Sequence, residues 1–498
     1  MPFGLPVLMF LEQVRLLDSI DENLRHPNEG IQRSAAAALT ALLRSYFPVR
    51  EHGPSERLQK RVVDKYLCLV EKSVHPAETR GYALALGSLP KKLLAPSTSV
   101  LRSIIECLRS SARHDAKVGK QGDAETRRNS VVSLMSVLRE VGFSSSRTPS
   151  TVCLTPQLVQ NAFDSFLIGL EDYNLDRRGD VGSWCRIASM TCLEELTLLA
   201  LENNVWIGTD RLTCMLGGFM KQLSEKLDNV RLHAGTYLER MLGHALPGIS
   251  YQPHLVSILC VGQEMNWSDA RVTFKLVTKA LSIPDICFSV FSGLIISTGA
   301  LTASVTKEAR EALVEWIVKP EDGSHATKAR VESLGQAVLR IFQENTHNHR
   351  ITLPLLKTLE FLFNRDMFDC LLADRGFAFV ETLLTLIKRE CACCSDINML
   401  FASIGVTVGM MSRLNAPPVN QGILEYILSE FLCHAEIPRI RKYAADNLYG
   451  KLLEDPSLIP RQENKGIVHD MLLQVEWQSD TVQLLHVKSK ISELVGFS

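Results

Sequence analysis

The chain has 498 residues, 46% of them hydrophobic and 22% charged, which excludes a disordered polymer and exceeds what one compact core holds. Its 54 basic and 55 acidic side chains balance, so the basic excess of a phosphate-backbone binder is missing and no nucleic-acid partner is expected. The 13 cysteines, mostly scattered singly, read as reduced, largely buried thiols of a cytoplasmic protein and not as a disulfide scaffold.

From the N-terminus, MPFGLPVLMFLEQVRLL is apolar but has neither a basic region before it nor a small-residue cleavage site after it, so it does not read as a signal peptide. A recurring pattern follows: an arginine, then small residues, then an apolar helical stripe. It occurs in IQRSAAAALTALL, ETRGYALALGSL, ETRRNSVVSLMSVL, SWCRIASMTCLEEL, NVRLHAGTYLERML, HRITLPLLKTLEFL and RIRKYAADNLYGKLL. Its arginines are Arg33, Arg80, Arg127, Arg186, Arg231, Arg350 and Arg441. The early spacings lie near the roughly 40–47-residue HEAT period and the last two near multiples of it. Each such unit is a helical hairpin that buries its apolar face only by stacking on neighbours. Small residues such as Ala35, Ala83, Ala234 and Ala444 allow close helix approach. Leu227, Val230, Ala234, Tyr237, Leu238 and Met241 share one helical face, as do Trp184, Ala188, Cys192, Leu196 and Leu199. The expected fold is therefore all-α, a HEAT/armadillo-like solenoid without strands. Each repeat arginine is expected to bond an acceptor of a neighbouring repeat, and Trp184 to pack in the core.

Prolines at 27, 48, 76, 90, 284, 320 and 438 mark helix boundaries. Residues 111–125 and the Ser/Thr-rich 144–151 read as flexible connections. The expected organisation is repeats over 1–143, a linker at 144–152, a helical region over 153–350 and further repeats over 351–498. The stretch from Ile286 to Val305 carries no charge, yet its eight Ser, Thr and Gly residues and its Ser-Thr-Gly triplet point to a turn between two short buried helices, not to a membrane span.

Local signatures of chemistry are weak. VGKQGD at 118–123 lacks the hydroxyl and the earlier glycine of a phosphate loop. Cys391, Cys393 and Cys394 are close together, but zinc needs about four ligands, and Cys433 and His434 are distant in sequence. His347 and His349 read as a solvated turn before a helix. No catalytic residue, cofactor or metal ligand emerges, and the chain does not read as an enzyme.

The block EDYNLDRRGDVGSWCRIASMTCLEELTLLAL at 171–201 resembles the C-terminal region of the tubulin-folding cofactor D family, and Arg178, Gly179, Asp180 and Trp184 lie in its most distinctive part. Similar stretches are DSIDENLRHPNEGIQRSAAAALTAL (18–42), ERLQKRVVDKYL (56–67), EKLDNVRLHAGTYLERML (225–242), SGLIISTGALTASV (292–305) and LPLLKTLEFLF (353–363). The family's chains are longer, so the resemblance covers a C-terminal portion, an isoform or a fragment. An unstacked first repeat is then expected to expose apolar surface near residues 1–17. The resemblance implies a chaperone that binds β-tubulin and assembles or dissociates the α/β heterodimer with cofactors E and C. It further implies GTPase activation on tubulin, regulation by an Arl-type small GTPase, and a cytoplasmic, cytoskeleton- or centrosome-associated location. Two alternatives stay open on the residues alone: a HEAT adaptor of the transport-carrier or phosphatase-scaffold type, and an enzyme with a noncontiguous site. The tripeptide Arg178-Gly179-Asp180 reads as a chance match to integrin ligands.

Overall fold

The computed structural model describes residues 15–46, 55–113, 123–143, 152–300, 302–318, 324–369, 377–392, 394–411, 417–434, 436–459, 461–477 and 481–495. The expectations for residues 1–14, for the phosphate-loop candidate at 118–122, for the connections at 114–122 and 144–151, for Cys393 and for Pro48 and Pro320 lie outside these residues. The chain forms two compact units, Met1–Gln222 with Leu232–Gln263, and Leu223–Arg231 with Glu264–Ser498.

In the first unit a helical segment at 15–24 precedes α1 (Glu29–Tyr46), α2 (Ser55–Lys72), α3 (Pro76–Gly87), α4 (Thr98–Ala112), α5 (Ala124–Val141), α6 (Pro156–Gly169), α7 (Gly182–Glu202) and α8 (Thr209–Leu223). Helices α1, α3, α5 and α7 pack in succession as one layer. Helices α2, α4 and α6 form a second layer, each against the next member of the first. The starts are encoded locally. Ser97, Asp123 and Thr155 accept hydrogen bonds from the amides of Val100, Thr126 and Leu158, and Pro76 and Pro156 occupy first turns, where a missing N–H costs nothing. Asp123 thus begins α5 inside the stretch expected to be a connection. Leu16 is half-exposed and Leu17 buried, the described end of the segment expected to expose apolar surface.

The described residues include one short antiparallel hairpin, β1 (Leu175–Asp176) with β2 (Gly179–Asp180), which corrects the expectation of no strands. Two-residue strands carry no alternating apolar signal, and turn and ionic chemistry hold this pair together.

Next come α9 (Asp228–Leu242), α10 (Ala270–Lys279), α11 (Pro284–Thr298), α12 (Ala303–Val318), α13 (Ser324–Glu344), α14 (His349–Phe363), α15 (Phe377–Cys391), α16 (Ile397–Gly409), α17 (Pro417–Tyr426), α18 (Pro438–Glu454), α19 (Lys465–Gln474) and α20 (Thr481–Val495). On α9, Val230, Ala234, Tyr237, Leu238 and Met241 are buried, as their spacing requires. In the second unit α11, α14, α16 and α18 pack in succession, with α13, α15 and α17 in the accompanying layer. The uncharged stretch covers the body of α11, a turn at Gly299 and the start of α12, and both helices are full-length and not short. Its hydroxyls are satisfied internally. Ser292 and Thr298 bond back to the carbonyls of Phe288 and Leu294, and Thr298 Oγ1 meets Thr358 Oγ1 at 2.7 Å. Gly299 abuts α14, where a Cβ would stand 2.4 Å from the Pro354 carbonyl oxygen. Among the described residues no helix is long and apolar enough to cross a membrane. The protein is all-helical, and each unit is a stack of HEAT/armadillo-like helical hairpins.

Candidate functional site

The repeat arginines converge on the loops that join the helices of each hairpin. Arg80 donates from Nε to Gln32 Oε1 at 3.0 Å and from Nη2 to the Pro27 carbonyl at 2.7 Å. Arg127, at the start of α5, grips Asp172 with Nε–Oδ2 at 2.6 Å and Nη2–Oδ1 at 3.3 Å. Arg186 is fully buried. Its guanidinium reaches both carboxylate oxygens of Asp180 at 3.1 and 3.0 Å, the Asp172 carbonyl at 2.8 Å and Gln222 Oε1 at 2.9 Å. In the second unit Arg231 donates to the carbonyls of Glu225, Lys226 and Ser268. The acceptors of Arg80 and Arg127 lie 48 and 45 residues away, one repeat period. Arg33 and Arg441 depart from this pattern. Arg33 is exposed and pairs with Glu29 of its own helix, and the buried Gln32 takes the linking position instead. Arg350 is half-exposed at the start of α14. Arg441 is buried, and among the described residues its Nε has no hydrogen-bond partner.

Four of the converging groups build one structure, the hairpin between α6 and α7. Asp176 Oδ1 accepts the Arg178 amide at 2.7 Å, an Asx-type turn that closes the two-residue loop. Gly179 follows at φ +101°, a conformation that side-chain-bearing residues avoid. Asp180 has two tasks: it accepts the Ser183 amide at 3.1 Å near the N-terminus of α7 and pairs with Arg186. Gly182 lies against the preceding loop, where a Cβ would stand 2.3 Å from the Asp172 carbonyl oxygen. Arg178 pairs with Glu125 and Asp176 and stacks 4.9 Å from the Trp184 ring centroid. Arg128 covers Trp184 at 5.9 Å. Tyr173 is held likewise, with Arg186 at 4.2 Å and Lys221 at 5.6 Å.

Trp184 is therefore not a core residue. It is half-buried between two guanidiniums, and the apolar stripe of α7 buries Ala188, Cys192 and Leu196 instead. The Arg178-Gly179-Asp180 tripeptide is consumed by these internal bonds, so it is not displayed as an integrin-type ligand. What the hairpin does display is Leu175, 70% exposed, and Arg177, an exposed guanidinium beside it. A hairpin braced by two aromatic–cation clamps and a buried carboxylate is preorganised, so little ordering entropy is lost when its tip meets a partner.

Electrostatics fit this bracing. Burial pushes the Asp172 carboxyl up, but the hydrogen bonds and charge of Arg127, with the Asn174 amide, outweigh it and hold the group below the ordinary aspartate range. Burial likewise works against ionised Glu125, and Arg178 reverses it. Burial pushes Cys185 up to about 12, helped by the Asp172 charge, and Cys391 up to about 11. The described cysteines are all free, four of them buried and two exposed. Among the described residues no group of three His, Cys, Asp or Glu side chains is placed to hold a metal ion. Even so, Cys433 and His434 line the same groove as Cys391 and Cys394, which their separation in sequence hid.

Sequence reading missed Asp172, Tyr173, Gln222, Glu125 and Arg128, the partners of the residues it singled out. One signal was available, because Asp172 stands a repeat length after Arg127.

A family model described as tubulin folding cofactor D C terminal matches residues 213–399, just beyond this hairpin. Tubulin-specific chaperone D of Dictyostelium discoideum is 22% identical over 520 residues, covering 94% of this chain and 34% of the relative. Tubulin-folding cofactor D of Schizosaccharomyces pombe is 22% identical over 338 residues, 65% of this chain and 29% of that protein. This chain thus spans about a third of the length of these relatives. Among solved structures, Kap121p bound to Pho4p overlays 97% of this chain and 51% of its own at 12% identity and a TM-score of 0.32. A structure from work on cadherin and beta-catenin overlays 97% of this chain and 99% of its own at 10% identity and a TM-score of 0.24. Over residues 213–399 by the family model, and over 94% of its length by the Dictyostelium relative, this chain is similar to the tubulin folding cofactor D family.

Proposed function

We propose that this chain is a tubulin-binding chaperone scaffold whose braced hairpin, through Leu175 and Arg177, is one of its client contacts. The observation that carries the reading is its alignment along 94% of its length with a protein named tubulin-specific chaperone D. Stacked helical hairpins suit the task, because they present long surfaces to a folded client and leave the chemistry to it. On this reading the client is β-tubulin, and the chain works in the cytoplasm and at the cytoskeleton or centrosome. Tubulin cofactors E and C and an Arl-type small GTPase are its further partners. The nucleotide chemistry belongs to tubulin and to that GTPase, and this chain contributes to it only as a GTPase activator through its partners. An exposed apolar residue beside an exposed cation suits a client surface with an apolar pocket and acidic surroundings.

Native gels and sedimentation of the purified chain with α/β-tubulin, with and without the GTP-loaded GTPase, test the reading. Capture of β-tubulin is expected, weakened about tenfold or more by the double variant Leu175→Asp/Arg177→Glu. Neither substitution touches a buried group, so folding should be unchanged. Absence of capture by the wild-type chain would overturn the proposal. Unchanged capture by the double variant would remove the hairpin from it.

A further inference from the structure

The second unit carries an open groove of about 1040 Å3 between the end of α15 and the segment that follows α17. One wall is a π-helical turn, Ile427–Phe431, closed by the Leu432 amide on the Ile427 carbonyl at 3.0 Å. Residues five apart on an α-helix stand about 140° apart round the axis. The wider π turn resets that spacing, and Glu425 and Glu430 line the groove together. Such turns are uncommon and are frequent at functional sites. Glu436 adds a third carboxylate. All three are exposed, and among the described residues none forms an ion pair; Glu425 accepts only the Gln421 amide. Two ammoniums stand at the groove: Lys388 of the lining lies 5.1 Å from the Tyr426 ring centroid, and Lys488 donates to Ser429 of the lining at 3.0 Å. The floor is therefore an aromatic face that already holds a cation. His434 Nδ1 accepts the Ile437 amide at 3.2 Å.

We infer that this groove docks a basic segment of a partner protein, a lysine- or arginine-bearing peptide. Its aliphatic stems would lie on Tyr426 and Ile437, with the charged heads at Glu425, Glu430 and Glu436. Three exposed carboxylates outnumber the two ammoniums, and with the aromatic floor they match that occupant in both charge and shape. They disfavour an acidic segment by like-charge repulsion. The inference is independent of what the hairpin binds, and it can fail while the tubulin reading stands.

Fluorescence anisotropy of the full chain tests it, using a fluorescein-labelled peptide of alternating Lys and Leu and its Glu–Leu counterpart. The basic peptide is expected to bind and the acidic one not to bind. Glu425→Lys/Glu430→Lys/Glu436→Lys should weaken binding about tenfold or more. An equal charge change on the same unit, Glu311→Lys/Glu315→Lys/Glu344→Lys, should leave it within about twofold. Hydrogen exchange on the wild-type chain gives a readout that needs no variant: added basic peptide should slow exchange at 388–392 and 425–434. Equal weakening by both triple variants, protection elsewhere only, or binding of the acidic peptide would overturn the inference. So would self-association of the chain that the groove variant abolishes while no basic peptide binds, because a second copy would then be the occupant.

Discussion

Both units fix helix-joining loops with buried arginines, and the second adds a joint built on a buried carboxylate. In the first unit the centre is cationic: Arg186, fully buried, gathers a carboxylate, a carbonyl and a side-chain amide, and Arg127 grips Asp172 beside it. The second unit has a cationic joint at Arg231 and, further on, an anionic one. Glu390, near the end of α15, is buried and accepts the His347 amide at 2.7 Å and the Thr352 hydroxyl at 2.8 Å, at the start of α14. The imidazoles of His347 and His349 stand only 3.8 and 4.0 Å from its oxygens. An arginine donates in a fork and collects loop carbonyls, whereas a carboxylate collects the free amides at a helix start. The repeat therefore prescribes a joint and leaves the sign of its ion open. His347 and His349, expected to be a solvated turn, serve that joint.

The comparison can be broken by deletion. Asp172→Ala leaves Arg127 buried without its counter-ion and should lower the stability of the first unit by about 3–5 kcal/mol in denaturant titration. Arg127→Met with Asp172→Leu should recover most of that loss, because both desolvated charges disappear together. Glu390→Ala should cost the second unit less, about 1–3 kcal/mol, since it leaves an amide and a hydroxyl unsatisfied but no buried charge. Trp184→Ala should cost about 1 kcal/mol from the lost guanidinium stacking and should speed hydrogen exchange in the hairpin. Arg33→Ala should change stability by less than about 0.5 kcal/mol, because its pair is solvated.

Acidity sharpens the same contrast. Asp172 has a depressed folded-state pKa, so its contribution is fully present above the unfolded value of about 3.9 and is lost as the pH falls through the folded value. Glu360 in the second unit is shifted the other way, because burial pushes it up and Arg310 only partly offsets this. Its contribution is present below the unfolded value of about 4.3 and is lost as the pH rises through the folded one. Between neutrality and pH 3, Asp172→Asn should flatten the acid-induced loss of stability in the first unit. Glu360→Gln should flatten the opposing slope in the second. Unfolding monitored separately in each unit by hydrogen exchange checks both.

Much of the fold was legible because its signals are local and repeated. Helical apolar stripes, caps such as Asp123 and first-turn prolines such as Pro76 and Pro284 need no knowledge of distant contacts. The arginine recurrence led to the joints at Arg80, Arg127, Arg186 and Arg231, and at the first two the acceptor lies one repeat away, as a stacked array provides. It misled at Arg33, where the neighbouring Gln32 makes the link and residue type alone could not reveal which of the two turns inward. The hairpin was hidden because its strands are two residues long and are fixed by an Asx turn and ion pairs. Trp184 was misread because a periodic stripe does not say where the stripe begins. At the first turn of α7 the ring meets two guanidiniums, one from the hairpin and one from α5, and not an apolar core. The cysteine–histidine convergence in the second unit depends on tertiary folding alone.

The central claim, that the braced hairpin is a contact for a tubulin client, is tested most directly by hydrogen exchange of this chain with and without bound α/β-tubulin. The account predicts slowed exchange at residues 172–181 in the complex, centred on the amides flanking Leu175 and Arg177. Tubulin binding that leaves those amides unchanged while protecting other surfaces would contradict it.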